Sequence, residues 1–152
     1  MKKLNRKGFT LVELLAVIII LAIVVGISIP AVLTTINNTR TKAFQAAVSS
    51  VADWVDRQYQ AYNVSDSSIV TVDSYWTTAC VTNGTSENGT LKCTIDADFL
   101  NAAGVKSANF NATMSNHTVT INESTGRSCV KLKGNAKGDY QSTKTLSGGI
   151  CS

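Results

Sequence analysis

The chain shows three successive hydrophobic patterns, and each of them predicts a different structure. Residues 9–29 are apolar except for Thr10, Glu13 and Ser28, and at about 1.5 Å rise per residue this segment is long enough for a membrane-spanning helix. The next segment is amphipathic, with one apolar stripe at helical spacing: Phe44, Val48, Val51, Val55, Tyr59 and Tyr62. Together they predict one helix of about fifty residues whose second half packs on a domain.

Beyond Tyr62 the composition changes to Ser, Thr, Asn and Gly, with short β-prone segments at 69–72, 91–95, 118–121 and 128–132. The last two predict a hairpin, because six polar residues join them. Residues 98–103 predict a short helix, whereas 134–149 predict a polar, turn-rich loop. The predicted fold class is α+β, with a long N-terminal helix packed by its C-terminal half on a small antiparallel β-sheet.

Pro30 is the only proline in the chain. Because proline has no amide hydrogen, it is expected to kink or interrupt the long helix, and Gly26 is a second weak point one turn earlier. The alternative is a simple kink of the kind common in membrane helices.

The charge pattern indicates which side of the membrane each part of the chain occupies. Four cations precede the apolar segment, and without them ten Lys and Arg remain against ten Asp and Glu. Such a cluster keeps the amino terminus cytoplasmic, so residues beyond 30 are expected outside. Because the remainder is neutral, the later basic residues are interpreted as a solvated polar face, with DNA contact or surface adhesion as the alternative: Lys131, Lys133, Lys137 and Lys144, with Tyr140 nearby.

All four cysteines lie in the outer part of the chain: Cys80, Cys93, Cys129 and Cys151. An even number in an oxidising compartment predicts two disulfides. Of the three connectivities we favour Cys80–Cys93 and Cys129–Cys151, whose loops would each contribute about 3 kcal/mol. Zinc is the rival, but the chain has no Cys-x-x-Cys pair and a single histidine.

No catalytic residue, metal site or cofactor is predicted, so the protein is not expected to be an enzyme. His117 lies in a polar segment, which is typical of a solvated histidine at a strand edge. Asp96 and Asp98 favour helix capping over calcium binding. Glycosylation stays open at Asn-x-Ser/Thr triplets such as those of Asn83, Asn88 and Asn116.

Residues 7–15, Lys-Gly-Phe-Thr-Leu-Val-Glu-Leu-Leu, resemble the processing site of type IV prepilins of class a, and the similarity extends over roughly residues 5–35. A secretory signal is cut after its apolar region, whereas this junction precedes it. By the resemblance, a membrane-bound prepilin peptidase cuts between Gly8 and Phe9 and methylates the new amine of Phe9. Glu13 then pairs with the Phe9 amine of a neighbouring subunit during assembly. The alternative is an uncleaved signal anchor whose Glu13 snorkels to the interface.

The resemblance also implies an organisation. It assigns residues 1–8 to a cleaved leader, 9–30 to a transmembrane and filament-core helix, 31–62 to its amphipathic half, and 63–152 to a globular β head with a disulfide-bounded region at 129–151. Helical structure around Gly26 and Pro30 can be lost in assembled filaments of this family.

The implied function is that of the major subunit of a type IV pilus, which serves adhesion, twitching motility or DNA uptake. The single-pass precursor would reside in the inner (cytoplasmic) membrane, and the assembled pilus would be extracellular, on the bacterial surface. The implied partners are other copies of the chain, the prepilin peptidase, the assembly platform and the membrane itself, with contacts to host surfaces or DNA left open. The alternatives are a pseudopilin of a type II secretion or competence machine, and a membrane-tethered adhesin that does not polymerise.

Overall fold

The structure is a computed structural model that describes residues 9–64, 71–111, 113, 116–135 and 145–151. The chain forms two compact units that meet between Thr39 and Arg40. The first unit contains the apolar part of helix α1 (Leu11–Asn63). The second contains the rest of α1 together with the β-sheet. The leader and the Gly8 side of the expected cleavage junction lie outside the described residues.

Helix α1 comprises 53 residues and continues through Pro30. A proline inside a helix removes its own bond to the carbonyl four residues earlier, here that of Gly26, while the remaining bonds can persist. The kink at Pro30 and the loss of helix in a filament therefore stay predictions.

Within the second unit, α1 buries most of the predicted apolar stripe. Phe44, Val48, Val51 and Val55 are fully buried, and Tyr59 is 9% exposed. Tyr62 differs from the prediction, because it is 49% exposed in the last turn of the helix. Its ring still lies 5.6 Å from that of Trp76, so the stripe ends on an aromatic contact rather than inside the core.

Short helices lie between α1 and the sheet and in the connection between the second and third strands, and they contribute buried side chains such as Trp76 and Phe99 to the core. Helix α2 (Ser74–Trp76) continues into a π-helix at Thr77–Thr82, which the sequence did not predict. Helix α3 (Ala97–Ala102) confirms the expected short helix, and Asp96 caps it by accepting a 2.7 Å hydrogen bond from the Phe99 amide. A 3₁₀ turn follows at Ser107–Asn109.

The sheet confirms the predicted α+β class. Its five antiparallel strands pair in chain order: β1 (Thr85–Glu87), β2 (Thr90–Cys93), β3 (Thr118–Asn122), β4 (Arg127–Lys133) and β5 (Thr145–Gly149). The predicted hairpin is β3–β4. Two predictions were wrong: residues 71–72 are not in a strand, and β5 lies inside the segment expected to be a loop. Residues 69, 70 and 136–144 are outside the described part.

One face of the sheet packs on α1 and the other is polar. On β3 and β4 the inward residues Val119, Ile121, Val130 and Leu132 are fully buried. Burying side chains of this size stabilises the fold by about 1.5–3 kcal/mol each. Strand β5 approaches α1 so closely that a Cβ at Gly148 would lie 2.6 Å from the Val48 carbonyl oxygen, so only glycine fits there.

His117 is not the solvated histidine that the sequence indicated, because it is only 5% exposed. Its Nδ1 accepts from the Lys133 amide at 3.1 Å, which leaves Nε2 protonated to donate to the Asn111 carbonyl at 2.8 Å. Both ring nitrogens therefore form structural hydrogen bonds, which connect β4 to the segment before β3.

Asp56 joins the helix to the start of β4. Its Oδ1 accepts a 2.7 Å hydrogen bond from the Ser128 amide, and its Oδ2 lies 3.7 Å from Nη1 of Arg127. Beside it, the buried Ser128 hydroxyl donates to the Ala52 carbonyl at 3.1 Å. A carboxylate on a helix that accepts a hydrogen bond from a strand amide contributes more to the stability of the fold than an exposed ion pair would.

We expect Asp56→Ala to lower the free energy of unfolding by about 1–3 kcal/mol, because it leaves the Ser128 amide without its acceptor. Asp56→Asn should lower the free energy of unfolding by less, since its side-chain amide oxygen can still accept the hydrogen bond from the Ser128 amide. Asp53→Ala is the matched control, because Asp53 is exposed one turn earlier on the same helix. Thermal unfolding of the oxidised chain in non-ionic detergent measures the effect, and equal losses for Asp53 and Asp56 would contradict it.

Candidate cleavage and assembly site at the N-terminus

The first turn of α1 is organised by a reciprocal capping box between Thr10 and Glu13. The Thr10 amide donates to Oε2 of Glu13 at 2.9 Å, and the Thr10 hydroxyl donates to the same oxygen at 2.8 Å. In return the Glu13 amide donates to the Thr10 hydroxyl oxygen at 3.3 Å. Such a box satisfies amides that a helix start leaves unpaired, so Glu13 holds the beginning of its own helix.

Thr10 is the site residue that the sequence analysis missed. The acid in the first turn was expected to serve assembly, whereas the Thr-x-x-Glu spacing is itself the sequence signature of a capping box. The signal was therefore present in the sequence.

The capping box leaves part of the Glu13 carboxylate available. Both side-chain contacts fall on Oε2, and Oε1 has no hydrogen-bond partner among the described residues. No cation in the described part of the chain pairs with Glu13, since the ion pair found there joins Arg127 to Asp56. In an apolar layer the remaining oxygen of such a carboxylate requires a donor or a cation.

The surface around this acid is apolar over the whole first part of α1. Its large hydrophobic side chains from Phe9 to Leu33 are between 50% and 90% exposed. Within the described residues, this helix is the one that is long and apolar enough to cross a membrane. A surface of this extent needs lipid or other apolar helices to cover it.

The hydroxyl groups in and just beyond this segment are satisfied within the helix. Ser28 donates to the Val24 carbonyl at 2.7 Å, and Thr35 donates to the Ala31 carbonyl at 3.0 Å. Bonds of this kind hide polar hydrogens from a non-polar environment. One face also carries an apolar groove of about 390 Å³, lined by Val24, Val25, Ser28, Ile29, Val32 and Leu33.

Of the residues predicted for cleavage and assembly, the structure describes Phe9 and Glu13, and they lie close together. Phe9 is 90% exposed and directly precedes the capping residue, so it lies within one turn of Glu13. Gly26 lies in the helix interior, where a Cβ would meet no atom within 4 Å. Packing within the isolated chain therefore does not require glycine at that position.

Both disulfides of the structure have the pairing favoured from the sequence. Cys80 and Cys93 join the π-helix to the end of β2, with Cα atoms 4.2 Å apart. Cys129 and Cys151 join β4 to the residues after β5, with Cα atoms 4.8 Å apart. Gln45 Nε2 on α1 also donates to the Ser147 carbonyl at 2.7 Å, so the C-terminal strand is held from two sides.

Residues 3–29 match the family model described as "Prokaryotic N-terminal methylation motif", which is the signature of type IV pilins and prepilins. No curated protein and no solved structure matches the chain. The motif, the apolar helix and the two disulfides fit a membrane-anchored precursor of the pilin or pseudopilin kind. The motif also implies processing by a prepilin peptidase and assembly into a pilus-type filament.

Proposed function

We propose that this chain is the major subunit of a type IV pilus, a structural protein that polymerises through its N-terminal helix. The observation that carries the proposal is a carboxylate without an ion-pair partner among the described residues, in the first turn of an exposed apolar helix and within a segment that matches a methylation motif. Cleavage between Gly8 and Phe9 would create a positive amine at the same helix end. The apolar segment would be retained in the mature chain.

The geometry of the first turn suggests how subunits would take a fixed axial offset. Phe9 and Glu13 are separated by four residues, or about 6 Å along a helix. The capping box uses one carboxylate oxygen within the chain, and the other can receive the methylated amine of a neighbour. In an apolar core, leaving that acid unpaired is costly, so the position that pairs it is favoured over other offsets.

The rest of the first unit supplies the surface that such packing needs. Its large hydrophobic side chains are exposed all round, so another apolar helix can pack against them. Before assembly the same surface would face lipid, in a precursor inserted in the cytoplasmic membrane. After assembly the second unit would be displayed outside the cell.

A pseudopilin of a secretion or competence machine is the second candidate, because it would use the same N-terminal site. The second unit favours a surface fibre. Its five-stranded sheet and its two disulfides, including the one that fixes the C-terminal strand, suit a subunit exposed outside the cell. An adhesin that stays in the membrane as a monomer would not need a motif for processing and filament assembly.

The proposal can be tested by deleting the gene for this chain in the source bacterium. Material sheared from the cell surface is then examined by negative-stain microscopy. We expect long thin fibres in the parent strain, none in the deletion strain, and their return on complementation. Antibodies to the second unit should label the fibres along their whole length. Unchanged fibres in the deletion strain would exclude the role of major subunit, and labelling confined to fibre ends would indicate a minor subunit instead.

A further inference from the structure

The outward face of the sheet, on the side away from α1, carries an uneven distribution of charge. The strand register places polar residues at its outward positions, beginning with Lys92 opposite Thr120 and Thr118 opposite Lys131. Three lysines lie on this face: Lys92 and Lys131 are exposed and Lys133 is half-buried. None of them forms an ion pair with a described residue.

Two acidic residues of the described part, Glu87 and Glu123, lie at the opposite end of the sheet. Glu87 lies on the outward side of β1, in the row that ends at Arg127. Glu123 lies in the β3–β4 turn and accepts a 2.9 Å hydrogen bond from Ser86. Arg127 itself is countered by Asp56 at 3.7 Å. No carboxylate of the described residues pairs with these lysines, so within that part of the chain their end of the face is positively charged even though the chain without its leader is neutral.

The spacing of these lysines suits a flat, extended anion. Lys131 and Lys133 are two residues apart on one strand, or about 7 Å. Lys92 is two strands away and level with Cys129, which places it about 12 Å from Lys131 and about 17 Å from Lys133. The three charges thus lie along a diagonal of an open surface rather than converging in a pocket, and such a row contacts an extended polyanion better than a small ion.

The groups between the lysines identify the kind of polyanion. Hydroxyl side chains occupy most of the outward positions next to them, and the disulfide-bonded Cys129 occupies another. The hydroxyl residues are Thr85, Thr118, Thr120, Thr145 and Ser147. Lysine and hydroxyl donors are the groups that bind phosphate oxygens of a nucleic-acid backbone. None of the described outward strand positions carries an aromatic side chain on which unpaired bases could stack.

We propose that this lysine face, Lys92, Lys131 and Lys133 with the hydroxyls between them, binds the phosphate backbone of double-stranded DNA without sequence preference. The inference deepens the proposed function, because a fibre would repeat the face along its length. Binding by the unassembled chain needs no fibre, however, so the two proposals fail separately.

The test uses the full chain in non-ionic detergent and a fluorescent DNA duplex of about 30 base pairs, with anisotropy measured across a salt series. We expect the logarithm of the association constant to fall with the logarithm of salt concentration, and the three lysines should contribute about −3 to that slope, close to one phosphate per lysine. Lys92→Gln combined with Lys131→Gln should reduce that slope by about 2 and weaken binding about tenfold or more at low salt.

The matched control is Arg57→Gln with Lys106→Gln, which removes two exposed cations outside the sheet. All variants share the same leader cations, so their contribution cancels, and circular dichroism checks that each variant is folded. Retention of wild-type affinity by the control would support the proposal. An equal loss in both double variants would overturn it, since net charge alone would then explain binding. Tighter binding to single-stranded DNA, or equal binding to a carboxylated polysaccharide of similar charge density, would also overturn it.

Discussion

Glu13→Ala should abolish fibres on the cell surface while the chain is still inserted, processed and folded in its second unit. The substitution makes the apolar helix more compatible with lipid, so membrane insertion should not suffer. What it removes is the carboxylate proposed to receive the amine of the next subunit. Sheared surface fractions and membrane fractions, compared by immunoblot, measure the fibre and the pool of subunits separately.

The capping box makes this experiment more specific, because Glu13→Ala removes two functions together. Glu13→Gln separates them: its side-chain oxygen can still accept from Thr10, whereas its charge is gone. We expect Glu13→Gln to fail in assembly as Glu13→Ala does. Thr10→Ala keeps the charge and loses the hydroxyl, and it should retain fibres. Fibres at the wild-type level in Glu13→Gln would assign the residue to capping alone.

Gly8→Leu should stop maturation and leave the uncut chain in the membrane without fibres. The expected cut lies beside this glycine, at the cytoplasmic edge where the leader cations hold it, and a bulky side chain should block the peptidase. Gly8→Ala is the matched control with a small side chain, and it should be processed to a greater extent. The mass of the membrane-bound chain reports the result, and normal amounts of processed Gly8→Leu chain would contradict the expected junction.

Features set by neighbouring residues were predictable from this sequence. The long helix follows from its apolar periodicity, and the buried positions from Phe44 to Tyr59 follow from the same spacing. The β3–β4 hairpin follows from two β-prone runs and a polar connection. The N-terminal site is also local, since its residues all lie within two turns of one helix.

Features set by distant residues were not predictable. Strand β5 ends in Gly148 and Gly149, which disfavour a strand by propensity. It forms because β4 offers a pairing edge, Cys151 is bonded to Cys129, and α1 leaves room only for glycine at 148.

The burial of His117 has a similar cause, because its partners come from two other segments of the chain. The π-helix is rich in threonine, which local propensity does not assign to helix. Asp73 caps the helical segment that leads into it, and the Cys80–Cys93 bond ties it to β2.

The most direct test of the central claim is the intact mass of this chain recovered from purified surface fibres. The account predicts the mass of residues 9–152 with one added methyl group on Phe9, less the hydrogens lost in two disulfides. Fragmentation of the N-terminal peptide should place the methyl group on the amine of Phe9. A chain that still carries residues 1–8 within fibres would contradict the account, as would fibres from which this chain is absent.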